Sequence, residues 1–246
     1  MATGRLKTVL KDPLWWVVFG FFVIYLLLAG IATQLSLESD GTANHYGFWA
    51  LVLIGLLMLG FTAVLGFASQ GRFDGVLIDR YNRITLAHFQ ILLWTLLVVA
   101  AYSAAMFTNL MAGSAGTNAL DVTIPPELWL AMGISAGSFT TSKVIKLKIP
   151  DRKIADKTDP GDARWIDMFN SDVSEGSGAI DLSKLQMFLF TAILVAGYGT
   201  TVANQLFNAT GPIDELPTLS NAFITLLLIS NGTYLARKSA HLIKNE

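Results

Sequence analysis

A serine flanked by two glycines is the most direct candidate for catalysis in this chain. Gly133, Ser135 and Gly137 match the G-x-S-x-G pattern, in which a serine hydroxyl attacks a carbonyl carbon. Such a serine needs a base within hydrogen-bond reach. The last apolar stretch contains no histidine, and His241 lies beyond its end. We therefore expect packing rather than catalysis, because the two glycines also form a G-x-x-x-G pair that lets helices approach closely.

Neutral polar residues recur along two other apolar stretches. In each stretch three of them lie seven residues apart, on one face of a helix, and a glutamine precedes them. We name these sets the polar seams: Gln90, Thr95, Tyr102 and Asn109 in the first, and Gln186, Thr191, Tyr198 and Gln205 in the second. The seams either line a hydrated pore or join helices. For the two glutamines we favour a hydrogen bond to a neighbouring helix.

The residue types exclude several other kinds of chemistry. The chain has no cysteine, which excludes disulfides, thiolate metal sites and cysteine nucleophiles, and its three histidines are scattered. No ionisable residue lies in the central part of any apolar stretch, although proton relays and ion-coupled carriers require one. Basic residues alternate with acidic ones rather than forming a nucleic-acid-binding stripe. We predict no catalytic residue, metal, cofactor or nucleic-acid partner.

Six apolar stretches must position these residues. Apolar residues make up 53% of the 246-residue chain and charged residues only 14%, against roughly a quarter charged in soluble domains. A membrane helix needs roughly 20 apolar residues. The sequence therefore predicts an all-α bundle of six transmembrane helices in a lipid bilayer, with spans at residues 13–37, 46–69, 86–109, 126–145, 182–207 and 217–236.

The distribution of charge predicts how the chain crosses the membrane. All 17 Lys and Arg residues lie on one side of the six spans, and the other side has six acidic residues and no basic one. Cytoplasmic flanks of membrane helices collect Lys and Arg, whereas exported loops do not. We therefore expect both termini to lie in the cytoplasm.

The second half of the chain contains an internal repeat. Residues 84–102 and 180–198 are identical at eight of nineteen positions, where about two would be expected by chance. The following helices also align, with Ser135 over Ser230 and Gly137 over Gly232. We infer a duplicated two-helix hairpin whose copies are parallel repeats, each entering the membrane from the same side. Thr85 and Asp181 occupy matching positions and are expected to cap the first helix of each copy.

These observations divide the chain into six segments. The longest connection is expected to contain one short helix, capped at Asp159, with an apolar face of Trp165, Ile166, Met168 and Phe169 that could lie on the membrane surface. The segments are a cytoplasmic N-terminus (1–12), a first hairpin (13–71), repeat 1 (72–145), a cytoplasmic loop (146–179), repeat 2 (180–238) and a cytoplasmic tail (239–246).

The repeated segments also resemble known membrane proteins. Residues 84–95, 180–191 and 229–236 are similar to segments of a loose group of bacterial multipass membrane proteins that has no assigned activity. The likeness covers about the last two-thirds of the chain. It implies a location in the bacterial inner membrane and transfers no functional residues.

A narrower likeness concerns the serine motif. Six spans with both termini inside and a serine in span four is the layout of rhomboid proteases. The likeness extends to little else in the chain. Ser230, which occupies the slot of Ser135 in the second repeat, fits packing better than a unique nucleophile.

Three functional hypotheses follow, in this order. The first is a non-enzymatic homo-oligomer that encloses a passive pore for ions or small solutes, lined by the polar seams. The second is a membrane scaffold or anchor whose loop at residues 146–179 docks a cytoplasmic protein. The third is a rhomboid-like intramembrane serine protease.

Overall fold

The chain is all-helical wherever the structure describes it. The structure is a computed structural model that describes residues 20, 23–24, 45–112, 119–148, 157–172 and 178–243. No strand forms in this part of the chain, which has three isolated β-bridges. Its five α-helices are α1 (Tyr46–Gln70), α2 (Leu86–Met111), α3 (Pro126–Lys148), α4 (Leu182–Phe207) and α5 (Asn221–Ile243). Three short 3₁₀ helices lie at Gly75–Leu77, Pro160–Asp162 and Trp165–Met168.

Three of these helices are long and apolar enough to cross a membrane, as expected of a membrane protein. They are α1, α2 and α4, with mean hydropathies of 2.5, 2.0 and 1.5. The apolar part of α5 is shorter, at Asn221–Ala236. Helix α3 contains many serines, threonines and glycines, which lower its hydropathy. The first predicted span lies outside the described residues, apart from Gly20, Val23 and Ile24, which are helical.

The observed helix ends follow the predicted spans closely, with one clear exception. Helix α4 covers the predicted range 182–207, and α2 and α3 begin where they were expected. Helix α5 begins at Asn221 instead of residue 217. The reason is that the backbone oxygen of Ser220 accepts hydrogen bonds from the N–H groups of Phe223 and Ile224, so the first turn starts there.

Helices α2 and α4 have the same length. Each of them has 26 residues. An antiparallel bridge ends just before each of these two helices, at Ile84 and at Ile180. The predicted caps are present, because Thr85 Oγ1 accepts from His88 N at 3.4 Å and Asp181 Oδ1 accepts from Ser183 N at 2.9 Å.

The chain divides into two compact units. Of the described residues, the first unit contains 45–76, 96–112, 119–124 and 200–217, and the second contains 77–95, 125–148, 157–172, 178–199 and 218–243. Helices α2 and α4 each contribute residues to both units. Each unit therefore contains residues from both predicted repeats.

In the first unit, α1 packs against the later parts of α2 and α4. Ile54 is buried against Ala100 and Phe107, and the ring of His45 stacks on Phe207 with centroids 3.7 Å apart. The connections after α2 and α4 pair as a parallel bridge between Thr123 and Glu215. This unit is thus tied together by backbone pairing as well as by apolar contacts.

In the second unit, the polar segments around the helix starts form what we name the platform, residues 77–85, 157–172 and 178–181. Its apolar side chains pack on the helices in one cluster. The buried members are Leu77, Ile78, Ile84, Leu86, Ala163, Met168, Met187 and Tyr234.

The platform corrects the prediction of one short helix with an apolar outer face. In the described part of this loop two 3₁₀ helices form instead, although Asp159 caps the first as expected, by accepting from Gly161 N at 2.6 Å. Met168 is buried in the cluster, and Phe169 packs on Phe188. Only Trp165 and Ile166, each about half exposed, remain on the surface.

The turn after α1 depends on Gly66. The chain folds back so closely that a Cβ atom at this position would lie 2.8 Å from the backbone oxygen of Phe73 and 2.9 Å from that of Arg72. We expect Gly66→Ala to lower the free energy of unfolding by about 1–3 kcal/mol, because backbone atoms must move to admit the methyl group. Thermal unfolding of the purified protein in detergent measures the loss.

Gly60 in the same helix is the matched control. A Cβ there meets nothing within 4 Å, and alanine is the better helix former by about 1 kcal/mol. Gly60→Ala should therefore leave the midpoint unchanged or raise it. Equal midpoints for the two variants would contradict the close approach at Gly66.

Candidate functional site

The first polar seam begins with a hydrogen bond between two helices. Gln90 of α2 donates its Nε2 proton to the hydroxyl oxygen of Thr191 in α4 at 2.5 Å. Both side chains are 2% exposed. This is the interhelical bond that we favoured for Gln90 over a pore-facing amide, and it joins a residue of one seam to a residue of the other.

Asn109, at the other end of the first seam, binds a backbone segment. Its Nδ2 donates to the oxygen of Ile213 at 2.9 Å, and its Oδ1 accepts from the N–H of the same residue at 2.6 Å. The buried amide therefore pairs with Ile213 as a neighbouring strand would. It satisfies two backbone groups that would otherwise lack a partner.

Two further seam residues bind the connections between helices. Tyr102 donates its hydroxyl proton to the oxygen of Leu120 at 2.9 Å, and Gln205 donates to the oxygen of Glu215 at 2.9 Å. Each uses its side chain to hold the connection that follows its own helix. Five seam residues are thus engaged within the chain rather than directed at a pore.

The remaining seam residues differ in their surroundings. Tyr198 is 3% exposed, and its hydroxyl has no hydrogen-bond partner in the described part of the chain. Thr95 and Gln186 are partly exposed. Gln186 therefore differs from Gln90, its counterpart in the first repeat. Gln90 is buried, whereas Gln186 is partly exposed to solvent or lipid.

The serine and the two glycines of the serine motif lie on different sides of α3. Ser135 is 3% exposed and donates to the backbone oxygen of Ala131 at 3.1 Å. Gly133 and Gly137 lie on the exposed side of α3, where an added Cβ would meet nothing within 4 Å. The close helix approach predicted from the glycines is therefore not made within the described part of the chain. The small residues that face α5 are serines instead.

The counterparts in α5 show the same division. Ser230 is 1% exposed, whereas Gly232 and Thr233 lie on the outer side. Helices α3 and α5 pack on each other, and the hydroxyls of Ser142 and Tyr234 lie 3.0 Å apart. The interface between these helices is therefore narrow and polar, as small residues permit.

Buried charges hold the platform together. Arg83, Asp167 and Lys184 are each 5% exposed. The Asp167 carboxylate accepts from Lys157 at 2.6 Å, and Lys184 donates to Asp172 at 2.8 Å. Arg83 donates to backbone oxygens at positions 171 and 167. Because each charge has a partner, the platform is a folded layer with satisfied polar groups rather than a loose connection.

A small cavity opens where the platform meets the helices. Its volume is about 40 Å³, and its polar lining includes His88, Ser142, Lys143, Lys184 and Tyr234. These residues come from four separate segments, so none stands out in the sequence. The one residue among them that the sequence draws attention to is Lys143, a basic residue at the end of the fourth predicted span.

The chain matches no protein-family model, no curated protein and no solved structure. Its function must therefore be inferred from the geometry of its own residues. Among the described residues, no cluster of three histidine, aspartate or glutamate side chains could hold a metal ion. What the geometry offers is helix association through buried amides and hydroxyls, a rigid platform and one polar cavity.

The bond between Gln90 and Thr191 should be measurable as a coupling energy. We expect a double-mutant cycle of Gln90→Leu and Thr191→Val to give a coupling of about 0.5–1.7 kcal/mol, the range for hydrogen bonds between membrane helices. Equilibrium unfolding in mixed micelles measures each variant.

Gln186→Leu is the control for this cycle. Since Gln186 is partly exposed, the variant should change the free energy of unfolding by less than about 0.5 kcal/mol. If it destabilised the protein as much as Gln90→Leu, the distinction between the two glutamines would be wrong.

The platform should depend on Asp167 more than on any surface pair. We expect Asp167→Asn to destabilise it by about 2–4 kcal/mol, because Lys157 loses its charged partner in a buried setting. Hydrogen exchange of platform amides and tryptic cleavage after Arg164 would both accelerate.

Asp74→Asn provides the comparison. Asp74 pairs with Arg72 at 2.8 Å, but this pair is more exposed, at 28% for the arginine side chain and 17% for the aspartate, and exposed pairs contribute about 0–1 kcal/mol. The platform amides should exchange at the wild-type rate in this variant. Acceleration to the level of Asp167→Asn would refute a special role for the buried pair.

Proposed function

We propose that the protein is a non-enzymatic, six-span protein of the bacterial inner membrane with both termini in the cytoplasm. Three apolar helices and the one-sided distribution of Lys and Arg support this topology. The sequence prediction of span one adds a further crossing to this proposal, and we assign the two shorter crossings to α3 and α5.

The duplicated hairpin is part of this proposal. Helices α2 and α4 each have 26 residues and begin 96 residues apart, at positions 86 and 182, which is the offset of the sequence alignment. The bridges that end at Ile84 and Ile180, and the caps at Thr85 and Asp181, recur with the same offset. Equal helix lengths and equivalent helix starts are expected after a duplication.

The role that the geometry supports best is a membrane scaffold or anchor. The observation behind it is the platform, whose buried charges are paired and whose apolar residues are packed on the helices. A folded layer at the cytoplasmic side presents a fixed surface to a cytoplasmic protein. We place the docking surface on residues Thr158 to Asp162, which are all exposed except the partly buried Pro160.

A passive pore receives less support. Four seam residues donate hydrogen bonds to groups within the chain, namely Gln90, Tyr102, Asn109 and Gln205. Side chains that are already hydrogen-bonded in this way are poorly suited to line a hydrated pore. A protease receives less still, because Ser135 donates to a backbone oxygen of its own helix.

We also infer that the scaffold assembles with further copies of itself. Gly133 and Gly137 of α3 and Gly232 of α5 face outward, and glycines on a lipid-facing helix allow another helix to approach closely. Disulfide crosslinking in membranes after Gly137→Cys would capture this dimer, and Gly60→Cys on α1 is the control.

The scaffold is tested by permeability and by partner capture. In reconstituted vesicles, we expect flux of potassium, chloride and small solutes no faster than in empty vesicles. In cells, a photo-crosslinking residue at Asp162 should capture a protein other than the chain itself. The same residue at Thr210, in the connection after α4, should not.

The variants Asp167→Asn and Asp74→Asn supply the control. Capture at Asp162 should be lost in Asp167→Asn and kept in Asp74→Asn, because only the first loosens the platform. A conductance that Gln186→Leu alters would overturn the scaffold in favour of a pore. If the Asp167→Asn variant still captured the protein at Asp162, the platform would not form the docking surface.

A further inference from the structure

The 3₁₀ turn at Trp165–Met168 divides its residues between the interior and the surface of the platform. Asp167 and Met168 are buried, whereas Trp165 and Ile166 are about half exposed. Arg164, which precedes the turn, is also exposed. A cation and two large apolar side chains are therefore presented together on the surface by three consecutive residues.

The buried half of the turn fixes these exposed side chains in place. The backbone N–H of Arg164 donates to the carboxylate of Asp167 at 2.8 Å, and the same carboxylate accepts from Lys157 at 2.6 Å. Met168 packs in the apolar cluster of the platform. The exposure of Trp165 and Ile166 is thus a property of a well-bonded turn and does not arise from a loose end of a loop.

Trp165 lies at the level where an apolar helix begins. Its ring packs edge-on against the ring of Phe89, with centroids 6.3 Å apart. Phe89 lies in the first turn of α2, which is long and apolar enough to cross a membrane. The first turn of a membrane-spanning helix lies near the boundary between headgroups and hydrocarbon. The turn is therefore placed at the edge of the bilayer that α2 would cross.

A row of aromatic rings connects this turn to the next spanning helix. Phe89 contacts Phe188 of α4, with centroids 5.7 Å apart, and none of the three rings is fully buried. The exposed face of α4 is apolar, because Leu182, Leu189 and Ile193 lie on one side of the helix and are all exposed. The apolar surface of the platform thus adjoins helices whose exposed surfaces are suited to lipid.

The charge beside Trp165 complements a lipid headgroup. Arg164 forms no salt bridge with any carboxylate among the described residues. An arginine near the cytoplasmic leaflet is attracted by its anionic phosphates, and an amphipathic tryptophan ring settles at the depth of the headgroups. A free guanidinium next to a tryptophan, both at the level of a helix start, favours a lipid surface over a soluble protein.

We propose that Arg164, Trp165 and Ile166 anchor the platform in the cytoplasmic leaflet of the membrane. The two apolar side chains lie below the lipid phosphates, and the guanidinium binds the phosphates of anionic lipids. This inference rests on the proposed membrane topology and extends the scaffold, since it gives the platform an attachment to the bilayer in addition to its packing on the helices.

Spin labels on single cysteines test the anchor. The chain contains no cysteine, so each introduced one is labelled uniquely. With the full-length protein in vesicles that contain phosphatidylglycerol, a nitroxide on Ile166→Cys should be more accessible to oxygen than to a water-soluble nickel chelate. Its depth should be about 5–10 Å below the phosphates, as for an interfacial apolar face. Adding Arg164→Gln should move the label toward water in these vesicles and have no effect in pure phosphatidylcholine.

Two further labels make the outcomes distinguishable. Asp162→Cys, at another exposed platform residue, should be open to the nickel chelate, and Leu189→Cys on α4 should be open to oxygen. Access of nickel to residue 166 but not to residue 189 would overturn the anchor and leave the topology standing. A label at residue 166 that neither reagent reaches would mean that protein covers it, which also overturns the anchor. Nickel access at both positions would contradict the membrane topology itself.

Discussion

The structure depends on one constraint, which is that a polar group within a membrane is costly to bury unless it finds a partner inside the protein. Water cannot reach the hydrocarbon region, so an unpaired backbone or amide group there is expensive. Gln90 and Asn109 meet this constraint by binding a threonine hydroxyl and a backbone N–H and C=O. Helices that are otherwise apolar, and therefore free to slide or rotate in lipid, are given a single register by these few bonds.

The same constraint explains why the platform is ordered. The connections that lead into α2 and α4, together with the first turn of α4, contain charged residues close to the apolar runs, and three of those charges are buried. Each can be buried only with a partner, and the partners of Arg83 are backbone oxygens from a distant part of the chain, at Asp167 and Ser171. Satisfying the charges therefore folds the connections onto the helices and creates the cavity beside Lys143.

Periodicity and caps were sufficient to predict the helices but not their partners. The bounds of α4 and the start of α2 follow from an apolar run preceded by Asp181 or Thr85, because these signals are local. The 3₁₀ turns at Trp165–Met168 were not predictable, since Met168 is drawn inward by a cluster that includes Met187 and Tyr234. The lining of the cavity was hidden for the same reason, as His88 and Lys143 meet only through tertiary packing around Phe139.

The seam residues illustrate the limit most clearly. Gln90 and Gln186 are equivalent in the sequence, yet only the first is buried against the neighbouring helix. A repeat predicts equal positions but not equal surroundings, because the copies must pack against different neighbours. The role of a repeated residue therefore depends on the groups that surround it in the folded protein.

The distance along the chain between bonded residues has a consequence for biosynthesis. Gln90 and Asn109 find their partners 101 and 104 residues later. At about 5–20 residues per second, ribosomes need roughly 5–20 s to deliver those partners after α2 has emerged. During that interval two amides of a newly inserted helix lack their final partners, so the insertion machinery, or water within it, must shelter them until α4 and the connection after it arrive.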